Sequence, residues 1–308
     1  MENVYIGVDL GGTNLRVGIV DENGRILQVK QIATEADQGY ELIIERMTNL
    51  IKEVKKAYSA VSIGIGSPGP LNPFDGIVVS PPNLPGWKDV PITAMVEEAI
   101  GIPAYLVNDA DAAALGEALY GGGKDRESTF YITVSTGVGG GYVQSNRLMQ
   151  GEHGYSAEIG NMIIQPGGQK HANMNAGSLE ALASGTSIAR EGKARLGKTL
   201  GAEDVFQLAE EENEEALAII EEAVDALAIG IANLVHTVDP SVFILGGGVM
   251  QAKDMILPML RKKVDAYVYE GLRGKIAIEP VQLHDKAGII GAAMHGRQKF
   301  DDEKLKRE

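Results

Sequence analysis

Three glycine-rich stretches, each directly after an apolar run with the character of a β-strand, constrain this chain more than any other feature: "GVDLGGTN" (7–14), "STGVGGG" (135–141) and "LGGGV" (245–249). Glycine lets main chain approach a ligand with no Cβ in the way, and a run of its N–H groups makes a concave anion site. In the first stretch the N–H groups of Gly11 and Gly12, the hydroxyl of Thr13 and the amide of Asn14 can all donate to phosphate oxygens. Asp9 comes just before them. A carboxylate beside phosphates is repelled unless a cation intervenes. Mg2+ keeps several waters and needs only one or two carboxylates, so Asp9 suits a water-mediated Mg2+ ligand. The plain alternative is a β-hairpin whose asparagine and threonine satisfy their own backbone. The second turn offers Thr136 and Gly137 for the same chemistry, and two such turns facing one another would hold one phosphate chain. Gly246, Gly247 and Gly248 offer a flat main-chain surface for an adenosine group.

The elements around these turns alternate. Tyr5–Asp9, Leu15–Val20 and Arg25–Lys30 read as strands, the last two joined by a hairpin turn at Asp21-Glu22-Asn23-Gly24. Apolar residues at helical spacing predict a helix over 40–58. "AVSIGIG" is a buried strand, the prolines between Pro68 and Pro91 predict a loop, and "PAYLVND" is a strand that runs into the helix "ADAAALGEALYGGG". Then the order restarts with "TFYITVS", the second glycine turn, "GYVQ" and a short third strand. A helix near 215–238 carries a stripe from Leu217 through Ile220, Val224, Leu227, Ile231 and Leu234 to Val238. "SVFILGGGVM" is a buried strand, and a last helix starts near Ile289. The repeat is one of architecture, not of letters.

Composition excludes several functions. With no cysteine there is no disulfide, no thiol chemistry and no cysteine-ligated metal, and cytoplasm is the default location. A net charge of −14 disfavours nucleic acid and anionic lipid as partners, and the basic "KLKRE" end reads as a solvated helix end. No apolar run is long enough to cross a bilayer, and the first residues do not read as a secretion signal. "GKARLGKT" (192–199) matches the P-loop formula but follows "SIAREGK", a charged helix-like stretch rather than a strand. "GIGSPG" (64–69) matches the dinucleotide fingerprint, but Pro68, Pro70 and Pro73 preclude the helix it should open; a tight ligand-facing loop is expected instead. There is no H-E-x-x-H, His236 reads as structural, and "GYSAE" is not a nucleophile elbow.

Taken together and in order, "GVDLGGTN", "GIGSPGP", "VNDADAAALGE", "STGVGGG", "AEIGN" and "LGGGV" resemble the ROK family of sugar kinases and repressors, from Tyr5 to about Met294. The resemblance implies the two-domain α/β fold of the actin/hexokinase/Hsp70 ATPases, duplicated ribonuclease-H-like domains flanking a cleft, with boundaries near 1–117 plus 293–308 and 118–292. It implies ATP, Mg2+ and phosphorylation of a hexose, commonly glucose at O6. By that likeness Asp109 is the general base and Asn108 a sugar ligand; Glu158 and Glu180 bind sugar hydroxyls; and Gly66–Gly69 with Asn83 line the sugar pocket. Asp9 to Asn14 with Thr136 and Gly137 hold phosphates, and Gly246 to Gly248 face adenosine. The physics agrees for Asp109: a helix N-terminus keeps a carboxylate ionised, and an ionised carboxylate can take a hydroxyl proton. The plain reading of Asp109 is a helix N-cap.

The sequence departs from the family at its zinc motif. Asn161 stands for the usual histidine, and His171, Asn173 and Ser178 for the cysteines, so no zinc is expected and the loop from Pro166 to Gly177 needs another source of order or is mobile until sugar binds. The same change leaves the sugar open around C1 and C2: mannose, fructose, an N-acetylhexosamine or a β-glucoside are alternatives to glucose. A sugar-responsive regulator without kinase activity is the other class, disfavoured because a strand starts by residue 4 and the chain is acidic. The family resemblance also raises a homodimer.

Overall fold

The computed structural model describes residues 3–197 and 201–307. The chain runs β1 (Val4–Leu10), β2 (Asn14–Asp21), β3 (Ile26–Ala33), α1 (Tyr40–Lys55), β4 (Ala60–Ser67), β5 (Leu71–Asn72), β6 (Ile77–Val78), α2 (Ile92–Ile100), β7 (Ala104–Asn108), α3 (Asp109–Tyr120), β8 (Ser128–Val134), β9 (Val138–Gln144), β10 (Arg147–Leu148), α4 (Leu179–Ala183), α5 (Gly185–Leu196), α6 (Ala202–Glu210), α7 (Glu214–Val235), β11 (Val242–Gly246), α8 (Lys253–Tyr267), β12 (Ile278–Pro280) and α9 (Ala287–Arg307). Two five-stranded sheets result, ordered β3-β2-β1-β4-β7 and β10-β9-β8-β11-β12. The two orders are the same: a run of three consecutive strands, then two strands added in parallel beside its first member. Parallel neighbours need crossover helices, and these are α1 and α2 in the first repeat, with α7 and α8 as their counterparts in the second. The repeat expected from the order of elements is therefore present.

The chain divides into two compact units, one of residues 1–125, 141–156 and 282–308 and the other of residues 126–140 and 157–281. In the first, Ile43, Met47, Leu50, Ile51 and Val54 of α1 pack with Ile6, Val8, Val17 and Ile19 of the sheet. Helices α3 and α9 contact each other and the strands β4 and β7. They approach by way of glycine: a Cβ on Gly64 of β4 would collide with the carbonyl of Ala292, and one on Gly291 with that of Ala112. Segment 141–156 also falls in this unit, and there Arg147 forms a bidentate pair with Asp302, at 2.7 and 2.9 Å. In the second unit, α7 packs against α4, α5, α6 and α8.

Several elements differ from the sequence reading. The proline-rich segment is partly core, with Leu84, Trp87 and Val90 buried and a β5–β6 hairpin inside it. Helix α2 starts directly after Pro91, and the run of prolines before it hid the signal. In α7, Leu217 is exposed in the first turns and Val238 lies past the end, because the helix stops at His236. Most of the P-loop match, Gly192 to Leu196, closes α5, and Gly197 caps it in the left-handed region at φ 68; Lys198 and Thr199 lie outside the described residues. Among the described residues no helix is long and apolar enough to cross a membrane.

Candidate active site

Strand register assembles the first group in the first unit. β1 and β2 pair so that Asp9 lies opposite Arg16, and Arg16 Nη2 is 2.6 Å from Asp9 Oδ2. Arg16 Nη1 donates to the Asp285 carbonyl at 2.8 Å. Burial holds the pKa of Asp9 above the usual carboxylate range, and the charge and hydrogen bond of Arg16 offset only part of that rise. The glycine turn beyond Asp9 is braced from β3. The Thr34 N–H donates to the Thr13 carbonyl at 2.8 Å, its hydroxyl to the Gly11 carbonyl at 2.6 Å, and Gln31 Nε2 to Asn14 Oδ1 at 3.0 Å. These bonds occupy acceptors of the turn, and the Gly11 N–H, expected as a phosphate donor, is instead spent inside the turn on the Asn14 carbonyl at 2.9 Å. The loop of Asn83 lies against it, since a Cβ on Gly12 would sit 3.0 Å from the Asn83 carbonyl oxygen.

A second group forms where two parallel strands end. β4 and β7 pair Ser67 with Asn108, which sets Gly69 beside Asn108: a Cβ on Gly69 would lie 3.3 Å from Asn108 Nδ2. "GIGSPG" is thus the end of β4 and the loop after it, with no helix behind it, as its prolines required. Asn108, not Asp109, is the cap of α3; its Oδ1 accepts from the N–H of Ala110 and of Asp111. That overturns the plain reading of Asp109. The aspartate is the first helical residue and is exposed, with Oδ1 2.8 Å from the Ala110 nitrogen.

The second unit gathers the rest. The Ser135 N–H donates to the Gly137 carbonyl at 2.8 Å and the Gly185 N–H to the Ser135 carbonyl at 2.7 Å. Thr186 Oγ1 donates to the Thr136 carbonyl at 2.7 Å. The glycine turn therefore rests on the N-terminus of α5, which Ser184 caps, and a helix N-terminus favours anions. Gly247 sits at φ 91 against β8, where a Cβ would strike the Val134 carbonyl, and a Cβ on Gly248 would be 3.7 Å from Ser135 Oγ. Gly246, as the last residue of β11, leads into this corner.

Glu180 belongs to the same cluster. Its Oε2 accepts from the Val138 N–H at 2.9 Å, and a side chain at Gly137 would collide with it. Glu158 keeps solvent access, yet desolvation by surrounding protein raises its pKa, and the negative charge of Glu180 raises it further. Asn161 is tied down: its Oδ1 accepts from the Asn175 N–H at 2.7 Å, and Asn175 Nδ2 donates to the Asn161 carbonyl at 3.3 Å. Main-chain bonds from Ile164 and Gln165 to Gly177 and from Gly177 to Gln169 hold the Pro166–Gly177 loop, and Ser178 Oγ caps α4.

Sequence reasoning missed Arg16, Gln31, Thr34, Asn175, Gly185 and Thr186. "SGTS" at 184–187 carried a readable signal, a serine cap followed by a glycine. The others have none, because their partners are distant in sequence.

A family model described as ROK family matches residues 5–299. The chain belongs to the ROK family. This ROK chain is 36% identical over 302 residues to a glucokinase of Thermotoga maritima, covering 94% of itself and 95% of that protein. It is similar to the ROK hexokinase from Thermus thermophilus, with TM-score 0.91, 33% identity and coverage of 97% of this chain and 99% of the other. It is also similar to a ROK family glucokinase from Streptomyces griseus solved with glucose and AMPPNP, with TM-score 0.79, 31% identity and coverage of 96% and 100%. The α/β architecture is that of the actin/hexokinase ATPases, as the resemblance implied.

Proposed function

We propose that this ROK-family chain transfers the terminal phosphoryl group of ATP to a hexose, that the hexose is glucose and the acceptor its O6, and that Asp109 is the general base. One observation carries the base assignment: the Asp109 carboxylate is exposed at the N-terminus of α3, next to Asn108 and the Gly69 loop, where the helix end favours the ionised form. The glucokinase of Thermotoga maritima and the glucose complex of the Streptomyces griseus enzyme support the sugar.

The chain's own groups divide the work. Asp109 takes the proton of the O6 hydroxyl as O6 bonds to the γ-phosphorus and the bond to the ADP oxygen breaks. Asn108 presents Nδ2 to a sugar oxygen beside Gly69, and Asn83 lines the same pocket; Glu158, Asn161 and Glu180 bind the other hydroxyls. The turns at Gly11–Asn14 and at Thr136–Gly137 donate to phosphates, the second with the N-terminus of α5 behind it, and Gly246 to Gly248 face adenosine. Mg2+ fits the first group: Asp9 offers a carboxylate with no side chain at Gly288 in front of it, where a Cβ would come within 3.3 Å of its Cγ. When bound, Mg2+ neutralises phosphate charge, and Asp9 would hold it through water. No zinc enters this reading: the Asn161–Asn175 clasp and the main-chain bonds give the 166–177 loop its order. Nor does it require nucleic acid or a membrane, and it places the enzyme in the cytoplasm.

The experiment is ADP release coupled to a dye, run with glucose, mannose, fructose, N-acetylglucosamine and a β-glucoside. Glucose should give the highest kcat/KM. A better rate on another sugar would reassign the substrate, and sugar binding with no ADP release would favour a regulator.

A further inference from the structure

The ion pair of Asp9 with Arg16 is more than a cross-strand contact. Asp9 is nearly buried, its side chain 15% exposed, and among the described residues Arg16 is the only cation paired with it. The guanidinium does not end on the carboxylate. Its other terminal nitrogen donates to the main-chain carbonyl of Asp285, in the turn that leads into α9. Arg16 thus ties β1, β2 and the approach to α9 into one fixture, with a separate terminal nitrogen for each acceptor. A lysine has one nitrogen on a flexible stem and is not preorganised to span both acceptors. The Asp285 carboxylate is a minor partner, 3.9 Å away and 78% exposed. The pair engages Oδ2 of Asp9, and no hydrogen bond reaches Oδ1 among the described residues.

We propose that Arg16 is a positioning residue for the nucleotide's metal: by gripping Oδ2 and anchoring on the Asp285 carbonyl it holds Asp9 so that Oδ1 addresses the metal's water. This rests on the reading of Asp9 as the Mg2+ residue. Groups that orient a metal ligand commonly change metal affinity by about 10–100-fold when removed, whereas a merely structural pair changes stability and leaves metal preference alone.

The test is calorimetric titration with ADP, once with excess Mg2+ and once with EDTA, on the wild type, Arg16→Gln, Arg16→Lys and Asp9→Asn, each checked for folding by thermal unfolding. The wild type should bind ADP more tightly with Mg2+. Arg16→Gln should lose about tenfold or more of that gain while its metal-free affinity stays close to wild type. Arg16→Lys should fall between, and KM for glucose should not move in either Arg16 variant. If Asp9→Asn loses the gain and a folded Arg16→Gln keeps it, the role of Arg16 is overturned and the reading of Asp9 stands. If Asp9→Asn keeps the gain, or the wild type has none, both fall. Equal weakening of ADP with and without Mg2+ in Arg16→Gln also overturns the proposal. If Arg16→Gln does not fold, Arg16→Lys decides: an undiminished gain there refutes it.

Discussion

Asn108 closes the N-terminus of the helix that Asp109 opens, its Oδ1 2.9 Å from the Ala110 nitrogen and 3.4 Å from that of Asp111. Under the proposed function the two adjacent polar residues have separable roles. Replacing Asp109 by alanine should reduce kcat by about 10²–10⁴-fold, the usual worth of a general base, with nearly unchanged urea stability. Replacing Asn108 by alanine should cost about 1 kcal/mol of stability through the lost cap and also raise KM for sugar. Equal turnover in wild type and Asp109→Ala would remove the base assignment.

Glu158 and Glu180 oppose one another, and the pKa of Glu158 is raised, by desolvation first and by the charge of Glu180 second. A raised carboxylate pKa means that the fold favours the protonated form, so its stability contribution is complete at acid pH and is lost as pH rises through the folded value. Glu158→Gln cannot ionise. Its thermal midpoint should exceed that of the wild type at pH 7.5 and converge with it at acid pH, while sugar binding weakens. A variant less stable than the wild type at pH 7.5 would contradict the repulsion.

Glu117 is fully buried, and its carboxylate accepts N–H groups from Gly122, Gln282 and Leu283 at 2.7–3.2 Å. It joins the end of α3 to the chain that returns before α9. Glu117→Leu leaves these donors unmet and should destabilise the protein by about 3 kcal/mol or more, measured by urea denaturation. A loss below about 1 kcal/mol would mean that water replaces the carboxylate.

His295 is buried in α9, and burial, with a smaller effect from Lys299, pushes its pKa down to about 3, against a weaker opposing hydrogen bond with the Leu106 carbonyl. The unfolded chain takes up this proton at ordinary histidine pH and the folded chain does not. Stability from this group is therefore present above the unfolded value and is lost as pH falls towards about 3. The loss should approach about 1.4 kcal/mol per pH unit over that window. Denaturation of wild type and His295→Gln at pH 7.5, 6 and 5 should show a difference that changes with pH by about that slope; parallel curves would show that folded His295 takes up its proton as readily as the unfolded chain does.

Much of the fold was readable locally. The β1–β2–β3 start, the helix opened by Asp109 and the main stripe of α7 follow from apolar spacing and turn residues within a few positions. Where the reading failed, local and tertiary signals conflicted. Trp87 and Val90 sit in a proline-rich run that looks like surface loop, yet the first unit's core claims them. Leu217 fits the stripe of α7 by spacing, but at the start of that helix it stays partly in solvent, 38% exposed. In the candidate site, Asp9, Asp109 and the glycine turns could be named because their chemistry lies in consecutive residues; Thr34 and Asn175 could not, because what matters is the distant atom each one reaches.

The sequence by itself determined the repeated order of strands, the places where main chain is stripped of side chains, and the absence of thiol chemistry. Those depend on residue size, periodicity and composition, which act over short stretches. Only the tertiary structure decided that Arg16 faces Asp9 and anchors on Asp285, 269 residues along the chain, that Glu117 receives N–H groups 165 and 166 residues away, and that Asn108 rather than Asp109 carries the cap. The first two depend on which distant donor or acceptor the packing of whole elements brings within reach, and the third on where the strand hands over to the helix, which neighbouring aspartate and asparagine, both good caps, leave open to either.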